Sequence, residues 1–187
     1  MVHKIAPTSS ERGEARAGDA VVESADITMD RAFTVPGAPE TVWPWIVQLG
    51  KQRAGWYLGR RAEWFGPRRR RAIREVDPRW QNLDVGDDIP DYGGRHEVLT
   101  VAEIVPPTTL VYVSQRRATA VSWSIVLRAV AVDGDEPSRP ACTRVLLRLR
   151  LGPVKRAWLA RTVGELIDVL TIAGLAAGLR ERLASRP

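Results

Sequence analysis

The clearest alternation of apolar and polar residues lies between residues 143 and 151. Apolar residues occupy every second position, and arginines occupy three of the positions between them. A period of two residues places alternate side chains on opposite faces of a strand. The segment therefore predicts a strand with one dry face toward a core and one wet face toward solvent. The dry positions are Val145, Leu147, Leu149 and Leu151, and the wet positions include Arg144, Arg148 and Arg150.

A second alternation begins at Ala25 and stops at Pro36, and it predicts the first strand. Pro39 suits the first turn of a short helix that ends at Gly50, and Pro44 within it should bend the first turn. Boundaries are less clear from residue 54 to residue 94, where turn-forming residues are frequent. Further elements are predicted as a short helix within residues 54–65 and as strands over residues 96–105, 110–115 and 120–132.

The end of the chain is predicted to be one long helix. No proline follows Pro153 until after Ala184, which predicts about 30 helical residues, near 45 Å in length. Because strands and helices are segregated along the chain, the predicted class is α+β. The dry face of a curved antiparallel sheet needs a cover, and only this helix is long enough. We therefore expect the sheet to wrap around the C-terminal helix.

The first 24 residues show no strand or helix period and contain no aromatic residue. They are predicted to form a disordered N-terminal tail. Residues 25–187 are then predicted to form a single domain, since 187 residues with 44% hydrophobic and 27% charged composition are typical of one globular unit.

The composition limits which metal, cofactor and disulfide chemistry is expected and which cellular compartment the protein occupies. The single cysteine, Cys142, cannot form an internal disulfide, and no stretch reaches the roughly 18 uncharged apolar residues of a membrane span. We therefore expect a cytoplasmic protein without a transmembrane segment. With two histidines in the chain, a histidine-rich metal site is not expected. No phosphate-binding loop or nucleotide signature is present, so no metal and no cofactor are predicted.

The net charge of +6 is concentrated in one short segment. Between Arg60 and Arg74 there are seven arginines and one acid, Glu63, and the rest of the chain is neutral. One basic run without a recognised DNA- or RNA-binding motif indicates a solvated loop or helix end. Nucleic acid is therefore not the expected partner of the Arg68–Arg71 cluster.

Several phrases of the sequence resemble a known superfamily. They are VPGAPETVWPWIVQLG at residues 35–50, RAGWY at residues 53–57, LDVGDDIP at residues 83–90 and Trp123 at the start of a strand. In this order they are similar to bacterial polyketide cyclase/dehydrase-like proteins of the START and Bet v 1 superfamily, also called SRPBCC. The resemblance covers roughly residues 25–184 and implies a helix-grip fold with a cavity between sheet and terminal helix. Relatives bind lipids, hormones or polyketides, and a few are enzymes.

The predicted cavity would lie beneath the terminal helix, with inward strand positions and the Trp56–Tyr57 segment in its wall. A buried phenol needs a hydrogen-bond partner, so tyrosines are the expected polar groups on such a wall. Tyr112 and Asp168 are candidate proton donors or acceptors, because burial would shift the pKa of either group. The predicted ligand-binding residues are Trp56, Tyr57, Tyr92, Tyr112, Trp123, Ile125, Leu147, Leu166 and Leu170.

The terminal helix is apolar almost all round from Leu166 to Leu179, with Asp168 and Thr171 as its clearly polar members. A surface helix would have one apolar stripe, so burial on both sides is expected. A dimer contact or a membrane contact is the alternative, which leaves a homodimer possible. Two functions follow: a carrier or sensor that binds a small hydrophobic ligand, or a cyclase or dehydratase that acts on a hydrophobic substrate in the same cavity.

Overall fold

The computed structural model describes residues 5–65, 67, 71–130, 141–155 and 157–184. Its centre is a curved antiparallel sheet of six strands in the order β1-β6-β5-β4-β3-β2. The strands are β1 (Ile27–Pro36), β2 (Asp88–Pro90), β3 (Val98–Val105), β4 (Thr109–Arg116), β5 (Thr119–Ala129) and β6 (Cys142–Gly152). The helices are α1 (Ser9–Gly13), α2 (Pro39–Val47), α3 (Arg60–Trp64), α4 (Ala157–Leu159) and α5 (Glu165–Ala184).

The predicted class and architecture are confirmed: the sheet is antiparallel and α5 packs on it. Along β6, the predicted dry side chains lie opposite inward residues of both neighbours; Leu149, for example, pairs with Met29 of β1 and Trp123 of β5. The predicted helix with an internal Pro44 is α2. The short strand β2 was not predicted, because three residues are too few to show a period. Residues 68–70 of the Arg68–Arg71 cluster and residues 131–132 of the strand predicted over residues 120–132 lie outside the described residues.

The long C-terminal helix differs in detail from its prediction. It consists of α4, a π-helical turn at Ala160–Gly164, and then α5. The second half of α5 is buried against the sheet through Ile172, Leu175 and Leu179. A side chain on Gly178 would lie 2.6 Å from the backbone nitrogen of Leu58, so glycine is needed there for the chain to cross the helix.

By length and composition, the helical stretch Arg161–Ala184 could also cross a membrane, with a mean hydropathy of 1.6 in its most apolar part. No membrane-spanning segment was expected from the sequence. In the fold, 28% of that part is buried, and the buried positions are concentrated after Thr171. The core packing of these later turns accounts for part of the apolar composition.

The expectation of a disordered N-terminal tail is wrong for residues 5–24. These residues lie on the outer face of the sheet, where Ile5 accepts a hydrogen bond of 2.9 Å from the backbone of Ala32. Thr8 caps α1 in a reciprocal capping box with Glu11. Val22 and Arg16 are buried. The segment has no apolar period because polar contacts attach it to the sheet.

The arginines of β6 had predicted that its outer face is wet. The N-terminal segment covers this face instead. Arg148 is 4% exposed. Its guanidinium forms ion pairs with Asp30 at 2.7 Å and Asp19 at 2.9 Å, and it also donates to the backbone carbonyls of Arg12 and Glu14. Arg144 pairs with Glu11 at 2.8 Å. Paired charges can be buried, and here the acids come from the N-terminal segment and from β1.

Candidate ligand-binding pocket

A concave pocket of about 600 Å³ lies between the inner face of the sheet and the first half of α5. We call it the sheet–helix pocket. Its apolar wall comes from β1, β3, β5 and β6, and Thr171 and Ile172 of α5 close one side. The pocket is partly open to solvent. Its volume lies within the range of about 300–1,000 Å³ that is typical of small-molecule sites.

Four aromatic rings form a continuous column along the wall. Tyr112 and Trp123 stack with their centroids 5.7 Å apart at 21°, and Trp123 stacks on Trp56 at 6.1 Å and 27°. Tyr92 meets the other side of Trp56 edge-on at 6.1 Å. Offset stacks and edge contacts at these distances are favourable for aromatic rings. All four rings line the sheet–helix pocket.

Trp56 reaches this column because of the loop after α2. The backbones of Gly50 and Gly55 hydrogen-bond to each other across the loop, and Gly55 has a φ of +85°, which favours glycine. The indole nitrogen of Trp56 then donates to the carbonyl oxygen of Thr171 at 3.2 Å. This contact ties the loop to α5 beside the pocket.

The structure places four of the predicted ligand-binding residues on the pocket wall: Trp56, Tyr92, Tyr112 and Trp123. Ile125 and Leu147 face inward from β5 and β6 as predicted, but they are buried in the adjoining core. The neighbouring inward positions Val121, Leu149 and Leu151 line the pocket in their place. The alternation identified the correct face of each strand, and the pocket lies further along the sheet. Binding of a ligand by any of these residues stays a prediction.

Leu166 and Leu170 were expected on the wall, but they are 59% and 64% exposed. Ile167, Asp168, Thr171 and Ile172 are the α5 residues that line the pocket. A helix turns about 100° per residue, so positions two residues from Asp168 point to its other side. The expected placement was wrong because apolar residues nearly all round the helix gave no basis for choosing a face.

The exposed side of this helix carries an uninterrupted apolar strip. We call Val163, Leu166, Ile167 and Leu170 the exposed stripe; each is at least half exposed. Ile167 also belongs to the pocket lining, so the exposed stripe begins at the edge of the pocket. Burial on both sides, as expected from the sequence, holds for the later turns of α5 and not for these.

Tyr57 is fully buried and its hydroxyl group has partners in the protein. It donates to the carbonyl oxygen of Trp45 at 3.0 Å and accepts from Gln48 at 2.9 Å. The guanidinium of Arg182 lies 4.5 Å from the ring centroid. Burial raises the pKa of Tyr57. Tyr57 is thus a core residue that holds the chain between α2 and α5, and it is absent from the pocket lining.

The two candidate catalytic groups differ in their surroundings. The hydroxyl of Tyr112 is buried and has no hydrogen-bond partner among the described residues, and burial raises its pKa. It therefore remains protonated at neutral pH and can donate a hydrogen bond. Asp168 lies 2.8 Å from the Nε of Arg31, which also pairs with Glu165 at 2.6 Å. Burial raises the pKa of Asp168, although Arg31 opposes the effect.

A polar cluster at the rim of the pocket was missed by the sequence analysis. It consists of Lys51 after α2, Asp91 and Gly94 after β2, and Arg116 at the end of β4. Lys51 Nζ donates to the carbonyl oxygens of Asp91 at 2.9 Å and Gly94 at 3.2 Å, and Arg116 forms an ion pair with the Asp91 carboxylate. These residues come from three distant segments, so no local motif could have indicated them.

Within the described part of the chain, no three His, Cys, Asp or Glu side chains lie close enough together to hold a metal ion. The ionisable side chains on the pocket lining are two phenols, two carboxylates, one lysine and one arginine. They can hydrogen-bond a ligand, carry charge or exchange a proton.

Comparison with known proteins identifies similar folds. No protein-family model and no curated protein matches the chain. A hypothetical protein from Helicobacter pylori superposes with a TM-score of 0.55 and 13% identity, over 97% of this chain and 100% of the other. A protein from Rhodobacter sphaeroides gives 0.51 and 14%, over 87% and 95%. CalU16 from Micromonospora echinospora gives 0.44 and 12%, over 84% of each chain.

At these identities the first two solved structures show the fold alone. The chain has the antiparallel sheet and long C-terminal helix of a helix-grip arrangement, which agrees with the resemblance found in its sequence.

Proposed function

We propose that the chain binds a small lipophilic molecule in the sheet–helix pocket and acts as a carrier or sensor. The observation that carries this proposal is the aromatic column along a wall that is otherwise mainly aliphatic. Ligand sites are typically concave and apolar with a few polar groups that fix orientation. Flat ring systems suit this wall because they can stack against it as its own rings do.

A second candidate function is catalysis on a hydrophobic substrate, such as a cyclisation or dehydration. Asp168 favours it, because this carboxyl group lies on the pocket wall and burial raises its pKa. A carboxyl group whose pKa is raised by burial can exchange a proton with a bound substrate. Arg31 is a competing partner that stabilises the charged form. An ion pair between sheet and helix explains Asp168 as well, so we favour binding without turnover.

The proposal is tested by filling the pocket. Leu149 faces the pocket between Met29 and Trp123, so Leu149→Trp places a large ring in the space that a ligand would occupy. Titration with the neutral dye Nile red, followed by dye fluorescence, should show affinity weakened by about tenfold or more, a loss of about 1.4 kcal/mol or more.

Thr28→Trp is the matched control, because it adds the same ring at an exposed position of β1. Its affinity for the dye should equal that of the unmodified protein. The exposed stripe could also bind a hydrophobic dye, so the double variant Leu166→Ser, Leu170→Ser is titrated in parallel. Unchanged binding in Leu149→Trp, or binding lost in the double variant alone, would contradict the proposal.

A further inference from the structure

The rim cluster of Lys51, Asp91 and Arg116 has an excess of positive charge. Asp91 is 8% exposed and its carboxylate is paired with Arg116. Lys51 donates only to carbonyl oxygens, and no carboxylate among the described residues lies within ion-pair distance of its ammonium group. Within the rim cluster two cations therefore face one anion, and the charge of Lys51 is locally uncompensated.

Hydrogen-bond donors on this wall remain unused. The Nε of Arg116 is buried and has no partner within the part of the chain that the structure describes. An ammonium group has three N–H donors, of which Lys51 uses two. The phenol of Tyr112 adds a further buried donor without a described partner. A buried donor without a partner costs free energy, and an acceptor oxygen of a ligand would remove that cost.

The α5 side of the pocket has the opposite charge balance. Asp168 and Glu165 share the single cation Arg31, so the local excess there is negative. A ligand with one anionic end would be repelled from this side and attracted to the rim cluster. The aromatic column between Tyr92 and Tyr112 would then lie along its apolar part. The charges thus favour one orientation of an amphipathic ligand.

From this arrangement we propose that the ligand is a flat, apolar carboxylic acid whose carboxylate binds at Lys51 and Arg116. The inference rests on the proposed binding function and narrows it to one chemical class. Charge-assisted hydrogen bonds are stronger than neutral ones, particularly where water is partly excluded. Lys51 and Arg116 both line the pocket and both contact Asp91, so one carboxylate can reach the two cations together.

The test compares two ligands that differ only in their polar end: 4-(1-pyrenyl)butyrate and 4-(1-pyrenyl)butanol. At neutral pH the protein should bind the butyrate about tenfold more tightly than the butanol. Lys51→Met should remove most of this preference, whereas Lys51→Arg should keep it. Lys155→Met is the matched control, because Lys155 is exposed and lies away from the pocket lining.

The outcomes separate this inference from the proposed function. If the unmodified protein binds both pyrenes equally, the carboxylate site is refuted while the binding function stands, and this result does not depend on any variant. If Lys51→Met folds, as judged by its circular dichroism, and keeps the preference, the anion binds elsewhere and the inference fails. If neither pyrene binds, the proposed function fails together with it.

Discussion

The packing of α5 can be tested with one substitution made at two positions. Leu175 is 1% exposed in the core between helix and sheet, whereas Leu170 is 64% exposed on the same helix. Replacing each with aspartate introduces the same carboxylate into the same helix. The two variants therefore differ only in what surrounds the new side chain.

The burial of each position determines how much the two variants differ in free energy of unfolding. Leu175→Asp loses the burial of a leucine side chain, worth about 1.5–3 kcal/mol. It also leaves a carboxylate unpaired in an apolar core, which costs several kcal/mol more. A domain of this size has a total stability of about 5–15 kcal/mol. We therefore expect Leu175→Asp to lose most of its stability, while Leu170→Asp changes by about 0.5 kcal/mol, as is usual at a surface position.

The assay is thermal and urea unfolding, followed by circular dichroism at several protein concentrations. Leu175→Asp should show no cooperative transition, and Leu170→Asp should unfold at nearly the temperature of the unmodified protein. A Leu175→Asp variant that unfolds normally would show that the sheet does not grip α5. If Leu170→Asp is strongly destabilised in a concentration-dependent way, the exposed stripe is covered by a second copy of the chain in solution.

Two further predictions concern charged groups outside the pocket. Arg144 and a capping hydrogen bond lower the pKa of Glu11 to about 2. The depressed pKa means that this pairing stabilises the fold above the ordinary pKa of 4.5 and is lost as the pH falls toward 2. Glu11→Gln should flatten the pH dependence of the urea midpoint in that window, and an unchanged slope would exclude the pairing. Arg182 is fully buried against Glu63 at 2.9 Å, so Arg182→Met should cost about 3–5 kcal/mol in urea unfolding. Arg74→Met, at a more exposed partner of Glu63, should cost about 0–1 kcal/mol; equal losses would refute this ranking.

Local patterns in the sequence determined most of the regular elements. The period of two residues identified β1 and β6 and the face that each turns to the core, because a strand's side chains alternate whatever lies next to it. Pro39 marked the start of α2, whereas the helix ends at Val47, three residues before the predicted Gly50. The segregation of strands and helices along the chain was sufficient to predict the α+β class and the long helix that the sheet wraps.

Tertiary structure alone decided which polar groups are buried and where the pocket lies. The arginines of β6 were predicted to be solvated. In the structure the N-terminal segment covers this face, and ion pairs to acids of that segment and of β1 compensate the buried charges. Leu170 was predicted to face the pocket, but its position on the helix points it toward solvent. Lys51 and Arg116 are 65 residues apart in the sequence, and the fold brings both to one rim of the pocket. Periodicity records the local conformation of one segment, whereas a charge or a wall residue acquires its role from the distant segments packed against it.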